Sequence, residues 1–219
     1  MVGIFDSGRG GELALRYFRR MMPSADIAFL ADRKNAPYGV KSREMIIALA
    51  ERNIELLRKQ GASTVLIACC TASTVYGNLS EGMRRDVIPI IDETARRAAN
   101  TSETGRIGVL ATSATVRSKA FENSVRSFRN EAFVVSRASP VLVEAIERYG
   151  TADDAILDSE LAYLGEGVDT IILGCTHFAA LEDKIRKRGY LTVNSARVGA
   201  ELLAEHTECG RGVTLYINE

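Results

Sequence analysis

The fold of this chain is decided by VLIACCT at Val65–Thr71, an apolar run that ends in two thiols. A second stretch, TIILGCTH at Thr170–His177, repeats the pattern in the other half of the sequence. Apolar runs that end in Ala or Gly and then Cys predict buried strands that deliver a thiol to their carboxyl ends. In open α/β sheets, ligands bind at this edge. We therefore expect Cys69 and Cys175 to face one ligand.

Strand-like apolar runs alternate with amphipathic helical stretches along almost the whole chain. Besides the two thiol-bearing strands, we predict a helix over residues 72–83, a short helix after Asp92 and a helix over residues 114–128. This alternation indicates parallel sheets with helices on both faces. Because the pattern restarts after the polar stretch NTSETG at residues 100–105, we predict two related α/β lobes.

The composition narrows the class of protein. The 219 residues are 46% hydrophobic and 26% charged, and 28 basic residues balance 28 acidic ones. A net charge of zero gives no support for binding to nucleic acid or to an anionic membrane. No apolar run approaches the length of a membrane span, and the first residues lack the pattern of a signal peptide, so we expect a cytoplasmic protein.

The cysteine pattern points to free thiols. The sequence contains Cys69, Cys70, Cys175 and Cys209, too few for a disulfide scaffold in a chain of this length. It has no C-x-x-C pair and no Cys/His group at zinc spacing, so no metal is expected. Cys209 is interpreted as a small hydrophobe or an incidental surface thiol.

Two loops follow the first two predicted strands. FDSGRGG at Phe5–Gly11 is either a capped turn or a cradle for a carboxylate or phosphate at a helix N-terminus. It lacks the dinucleotide and P-loop patterns. In the second loop, Pro37, Tyr38 and Gly39 form a natural turn whose backbone N–H groups are equally suited to an anion.

The thiols themselves are predicted to lie at strand-to-helix junctions. Thr71 and Thr176 would then cap the following helices or bind ligand. A helix N-terminus lowers the pKa of a thiol, from about 8.5 toward about 7. His177 either exchanges a proton with Cys175 and orients it, or merely packs at a helix start.

Taken together, these motifs resemble the glutamate racemases of the aspartate/glutamate racemase superfamily. The family pattern is FDSGxGG, PYG, ACNTA and LGCTH, and this chain has matching stretches in the same order. They are Phe5–Gly11, Pro37–Gly39, Ala68–Ala72 and Leu173–His177. The resemblance covers nearly the whole chain.

The resemblance implies racemisation of glutamate without a cofactor, supplying D-glutamate for peptidoglycan. Cys69 and Cys175 match the two acid/bases, of which one removes the α-proton and the other returns a proton to the opposite face. Asp6 and His177 match polar residues near each thiol, and Glu147 matches a further carboxylate. The positions matching substrate contacts are Asp6, Ser7, Pro37, Tyr38, Gly39, Cys70, Thr71, Thr176 and His177.

The resemblance also sets the expected architecture. The active site is expected in the cleft between the two pseudo-symmetric lobes. The first lobe is predicted to comprise residues 1–95 with the returning segment 195–219, and the second residues 96–194. A small acidic amino acid is the expected partner, and a homodimer is a candidate assembly because dimers are common in the family.

Cys70 departs from the family pattern, which has Asn at this position. A thiol is a weak donor and lacks the amide fork, so substrate preference is open at this site. The alternatives are an aspartate or broad-specificity racemase on the same scaffold, or a catalytically weak protein that binds acidic amino acids. The adjacent pair Cys69 and Cys70 also keeps a thiol-redox protein as a third alternative.

Overall fold

The computed structural model describes residues 1–217, which divide into two compact units. Unit 1 consists of Met1–Ile90 and the segment from Ala196 onward, and unit 2 consists of Ile91–Ser195. The boundary predicted at residue 95 falls inside a helix, α5 (Ile91–Thr101), which packs on strands of unit 2. The helix belongs with that sheet as a whole, so the compact units divide just before it.

Unit 1 is built on a five-stranded parallel sheet with the order β4-β3-β1-β2-β9. Its strands are β1 (Val2–Asp6), β2 (Ile27–Ala31), β3 (Thr64–Ile67), β4 (Val87–Pro89) and β9 (Thr214–Ile217). Phe5 of β1 lies in register with Leu30 of β2 and Ile67 of β3. Because the strands are parallel, the residues that follow β1, β2 and β3 meet at one edge of the sheet.

The helices of unit 1 flank this sheet. They are α1 (Gly11–Met21), α2 (Arg43–Lys59), α3 (Cys70–Ser73), α4 (Glu81–Arg84) and α11 (Ser195–Glu205), whose first residue is the last of unit 2. Helix α2 begins after Ser42, whose hydroxyl accepts a hydrogen bond from the Met45 N–H. It packs on β1, β2 and β3.

The helix predicted over residues 72–83 is wrong in its continuity. The chain forms α3, a 3₁₀ turn at Tyr76–Asn78 and then α4. Thr74 Oγ1 donates to the Thr71 carbonyl at 2.7 Å, and the Ser80 hydroxyl caps α4. These hydroxyls hydrogen-bond to the local backbone and so compete with a continuous helix.

Unit 2 contains a four-stranded parallel sheet with the order β6-β5-β7-β8. Its strands are β5 (Arg106–Ala111), β6 (Phe133–Ala138), β7 (Thr170–Gly174) and β8 (Leu191–Asn194). All five residues of β7 are buried. Gly174 is required at its end, since a Cβ there would lie 2.9 Å from both the Leu110 carbonyl oxygen and the Phe121 ring.

The helices of unit 2 are α5, which continues for 11 residues rather than being short, and five others. These are α6 (Ser113–Ser118), α7 (Ala120–Phe128), α8 (Pro140–Tyr149), α9 (Asp154–Ala162) and α10 (Glu182–Arg186). The single helix predicted over residues 114–128 is divided at Lys119, which adopts a left-handed conformation with φ of 55°. Across residues 1–217, no helix combines the length and the apolar character that a membrane crossing requires.

Candidate active site

Cys69 lies two residues after the end of β3, and its thiol is almost fully buried. The residue is the N-cap of α3 and is 5% exposed. Its Sγ lies 3.1 Å from the Ser7 hydroxyl, which comes from the loop after β1. The sequence placed Ser7 near the substrate, and the structure brings it into contact with the thiol itself.

Asp6 completes the surroundings of this thiol in unit 1. It is the last residue of β1 and is fully buried, and its Oδ1 accepts a hydrogen bond from the Gly8 N–H at 2.8 Å. A Cβ at Gly11 would lie 2.3 Å from the Asp6 Cβ. The glycine therefore lets α1 begin against the carboxylate.

The protonation of Cys69 differs from the sequence expectation. Burial, and after it the nearby negative charge of Asp6, raise the pKa of this thiol to about 11. Hydrogen bonds from Ser7 and from the Ala72 N–H lower the pKa but do not compensate. The shift is opposite to the expectation because desolvation of the thiolate outweighs the hydrogen bonds at the start of the four-residue α3.

Cys175 occupies the equivalent position after β7 in unit 2. It is 7% exposed and precedes a 3₁₀ helix at Thr176–Leu181. Its Sγ lies 3.5 Å from Nδ1 of His177. The other ring nitrogen of His177, Nε2, hydrogen-bonds to Oε1 of Glu147, which is presented by α8.

The Glu147 contact assigns the tautomer of His177. An ionised carboxylate only accepts hydrogen bonds, so Nε2 carries the hydrogen and donates it to Glu147. In the neutral ring Nδ1 is then free of hydrogen and accepts the thiol proton of Cys175. In this tautomer a ring nitrogen able to accept a proton lies beside the Cys175 thiol.

The remaining predicted contact residues lie near the same edges. In unit 1, Cys70 and Thr71 are the first residues of α3 and are buried. In unit 2, Thr176 is buried and begins the 3₁₀ helix. Neither threonine is an N-cap, because the cysteines occupy the cap positions.

The Pro37–Gly39 loop continues into a 3₁₀ turn at Tyr38–Val40. Pro37 is exposed, whereas Gly39 and Tyr38 are buried. The Tyr38 hydroxyl donates to Oδ2 of Asp32 at 2.6 Å, and Asn53 of α2 also contacts this pair. Sequence reasoning missed Asn53, because its contacts join residues far apart in the chain.

Within residues 1–217, no group of three or more His, Cys, Asp or Glu side chains is arranged to hold a metal ion.

Comparison with known proteins identifies the class. A profile of the Asp/Glu/Hydantoin racemase family matches residues 14–203. The glutamate racemase of Aquifex aeolicus is 32% identical over 210 residues, covering 93% of this chain and 82% of that protein. The glutamate racemase of Pseudomonas aeruginosa strain UCBPP-PA14 is 38% identical over 182 residues, covering 81% and 69% of the two chains.

A solved structure agrees with these sequences. A glutamate racemase isoform from Bacillus anthracis superposes with a TM-score of 0.86 at 29% identity, covering 94% of this chain and 80% of its own. The fold and the relatives define an amino-acid racemase, as the motifs predicted. The chain belongs to the Asp/Glu/Hydantoin racemase family. The predicted resemblance and the prediction of two mainly parallel α/β sheets are confirmed.

Proposed function

We propose that this chain interconverts L- and D-glutamate without a cofactor, using Cys69 and Cys175 as the two acid/bases. The observation that carries the proposal is the repeated placement of a buried thiol after a parallel strand, once in each unit. Relatives with 32% and 38% identity that are glutamate racemases support glutamate as the substrate.

In the proposed reaction, one thiolate removes the α-proton and becomes a thiol. The electron pair left on the α-carbon forms a carbanion, which then takes a proton from the second thiol on the opposite face. That second cysteine is left as the thiolate, so the enzyme ends with the two protonation states exchanged. The reverse reaction begins from this exchanged form.

The surroundings of the thiols suggest how the cycle starts. Cys69 has a pKa raised to about 11 by burial and by Asp6, so it rests as the thiol. His177 accepts the proton of Cys175, and Glu147 stabilises the resulting imidazolium. Cys175 is therefore the first base and Cys69 the first acid in our scheme.

Carbanion charge also needs fixed donors, because an α-proton is very weakly acidic. We propose that these donors and the substrate contacts come from the loops and helix starts beside the thiols. The residues are Asp6, Ser7, Pro37, Tyr38, Gly39, Cys70, Thr71, Thr176 and His177. The product D-glutamate would be used for peptidoglycan in the cytoplasm, and a homodimer is the assembly we propose.

The direct test is to follow each glutamate enantiomer by circular dichroism with the purified chain. We expect the optical signal of either enantiomer to decay to zero. In deuterated water the α-hydrogen of both enantiomers should exchange. Absence of exchange from both would refute the proposal.

A second candidate is an aspartate or broad-specificity racemase, which Cys70 specifically favours. A panel of acidic and neutral amino acids, compared by kcat/KM, separates the two. A chain that binds acidic amino acids without turning them over would instead show a raised melting temperature with glutamate or aspartate and no exchange of the α-hydrogen.

A further inference from the structure

A buried polar cluster, the Asp32 cluster, lies behind the Pro37–Gly39 loop in unit 1. It consists of Asp32, Asn35, Tyr38 and Asn53. Oδ2 of Asp32 accepts the Tyr38 hydroxyl at 2.6 Å and Nδ2 of Asn53 at 3.2 Å, and Oδ1 accepts Nδ2 of Asn35 at 2.9 Å. Nδ2 of Asn53 also donates to the Tyr38 hydroxyl at 2.9 Å. Asp32, Tyr38 and Asn53 are each no more than 2% exposed.

The direction of these hydrogen bonds is determined by the charge on Asp32. Burial raises the pKa of this carboxyl, but hydrogen bonds from Tyr38, Asn35 and Asn53 outweigh it, so the pKa is lowered. The carboxylate accepts only, and the single proton of the Tyr38 hydroxyl is therefore directed at Asp32. Burial and Asp32 raise the pKa of Tyr38 far above its usual value, so the phenol stays neutral.

Asn53 donates two hydrogen bonds from its amide Nδ2 within this cluster, whereas its amide oxygen accepts none in the described structure. Its Oδ1 is buried and has no hydrogen-bond partner among the described residues. An unpaired buried acceptor destabilises the folded chain. What the amide provides in return is two hydrogen bonds, one to the Asp32 carboxylate and one to the Tyr38 hydroxyl, and these hold the tyrosine in a single position.

The cluster joins a loop to two regular elements. Asp32 follows β2, and its N–H donates to the Asp6 carbonyl at 2.9 Å. Asn53 lies within α2, where Ile46, Leu49 and Ile54 are buried as well. Tyr38 is the only one of the three in the loop, and its ring packs 6.1 Å from the ring of Phe5. The Tyr38 side chain therefore fixes the loop to β2 and α2, and its hydroxyl proton is not available to a ligand because it is donated to Asp32.

We propose that Asn53 is a positioning residue, which acts through the Tyr38 hydroxyl to hold the backbone of the Pro37–Gly39 loop in place for the substrate. This rests on the proposed function, in which that loop contacts the amino acid. The loop then binds substrate through its backbone N–H groups. The Asn53 amide holds the side chain of Tyr38, and this keeps the loop backbone in place.

The test compares Asn53→Leu with Ile54→Val, a neighbouring change on the same helix that also alters a fully buried side chain. For Asn53→Leu we expect KM for glutamate to rise about tenfold, about 1.4 kcal/mol, with kcat within about twofold of the wild type. Ile54→Val should lower the melting temperature and leave KM unchanged. A folded Asn53→Leu protein with the KM of the wild type would overturn the proposal.

A double-variant cycle separates positioning from a structural role. If Asn53 acts through the hydroxyl, Tyr38→Phe should raise KM similarly, and adding Asn53→Leu to it should change KM by less than about twofold. A full additional tenfold rise would overturn the proposal. If Asn53→Leu does not fold, Tyr38→Phe alone decides, because it keeps the ring and removes only the hydroxyl.

The wild type is measured first, so that the two claims fail separately. A wild type without racemase activity on any acidic amino acid would refute the proposed function. The positioning claim is then decided by the calorimetric dissociation constant of L-glutamate for wild type and Asn53→Leu, and equal constants, or no binding to either, overturn it.

Discussion

The two thiol regions have a similar position, between a strand and a short helix, and different neighbouring side chains. Each thiol follows a buried parallel strand and occupies the cap position of a short helical segment. Cys69 contacts the Ser7 hydroxyl and lies near a carboxylate. Cys175 contacts a histidine, which in turn hydrogen-bonds to a glutamate. A shared strand-Cys pattern therefore determines where a thiol lies, and its neighbours determine which proton state it favours.

This difference has a consequence for the proposed mechanism. A negative carboxylate disfavours a thiolate, and an imidazole that accepts a proton favours one. In the proposed scheme the two thiols therefore rest in opposite protonation states, which is what a reaction with one base and one acid needs. If both environments favoured the thiol, the resting enzyme would hold no base.

The largest expected effect comes from removing either thiol. Cys69→Ser and Cys175→Ser should each reduce racemisation of glutamate by at least about 10³-fold, because a hydroxyl is a much weaker acid and a poor base near neutral pH. Circular dichroism of each enantiomer measures the loss. Cys209→Ser changes an exposed thiol and is the matched control. Near-normal turnover by either active-site variant would reject the two-base assignment.

The second effect concerns His177, which contacts Cys175 and has no counterpart among the contacts described for Cys69. His177→Asn removes the group that we propose accepts the proton of Cys175, and we expect kcat to fall by about 10²-fold or more. His206→Asn alters an exposed histidine of unit 1 and should leave kcat unchanged. If His177→Asn keeps the wild-type kcat, the thiolate at Cys175 does not depend on the imidazole, and the asymmetry between the thiols loses its explanation.

The sequence predicted the thiol positions because they depend on local patterns. The apolar runs before Cys69 and Cys175 form the buried strands β3 and β7. The last residue of β1, Asp6, and the first residue after it, Ser7, lie near the first thiol. Parallel strands bring their carboxyl ends to one edge, so strand order alone places such residues together within a unit.

The parts that could not be predicted depend on contacts distant in sequence or on unusual backbone. In the sequence Asn53 is an ordinary polar residue of a helix, and it contacts Asp32, which lies 21 residues earlier in the chain. Lys119 divides a predicted helix because its backbone is left-handed. Lysine seldom adopts this conformation, so the sequence gives no sign of the break. The pKa of Cys69 was expected to fall, because the pattern shows a helix start but does not show how deeply the thiol is buried.

The third effect concerns the residue that follows each thiol, which is Thr176 in unit 2 but Cys70 in unit 1, and it tests Cys70. Cys70→Asn supplies an amide where the family pattern has one, and we expect kcat/KM for glutamate to rise about tenfold, equivalent to about one hydrogen bond. Cys70→Ala is the control, since it removes the thiol without adding an amide. If both variants behave alike, the amide is not the missing contact and the case for another substrate strengthens.

The smallest effect addresses the carboxylate beside Cys69. Asp6→Asn removes a negative charge that raises the pKa of this thiol, while an amide oxygen remains to accept the Gly8 N–H. The pKa should therefore fall, and the alkylation rate of Cys69 should reach its maximum at lower pH than in the wild type. At pH 8 the rate should rise about threefold, which corresponds to a shift of about half a pKa unit.

Iodoacetamide labelling located by mass spectrometry measures this rate across pH 7 to 11. Asp86→Asn is a matched control, because Asp86 is exposed and has φ of 54°, a conformation that asparagine tolerates. Its labelling curve should coincide with that of the wild type. A curve for Asp6→Asn that stays in place or moves to higher pH would mean that burial alone sets the proton state of Cys69. The contrast between the thiols would then depend on His177 and Glu147 alone.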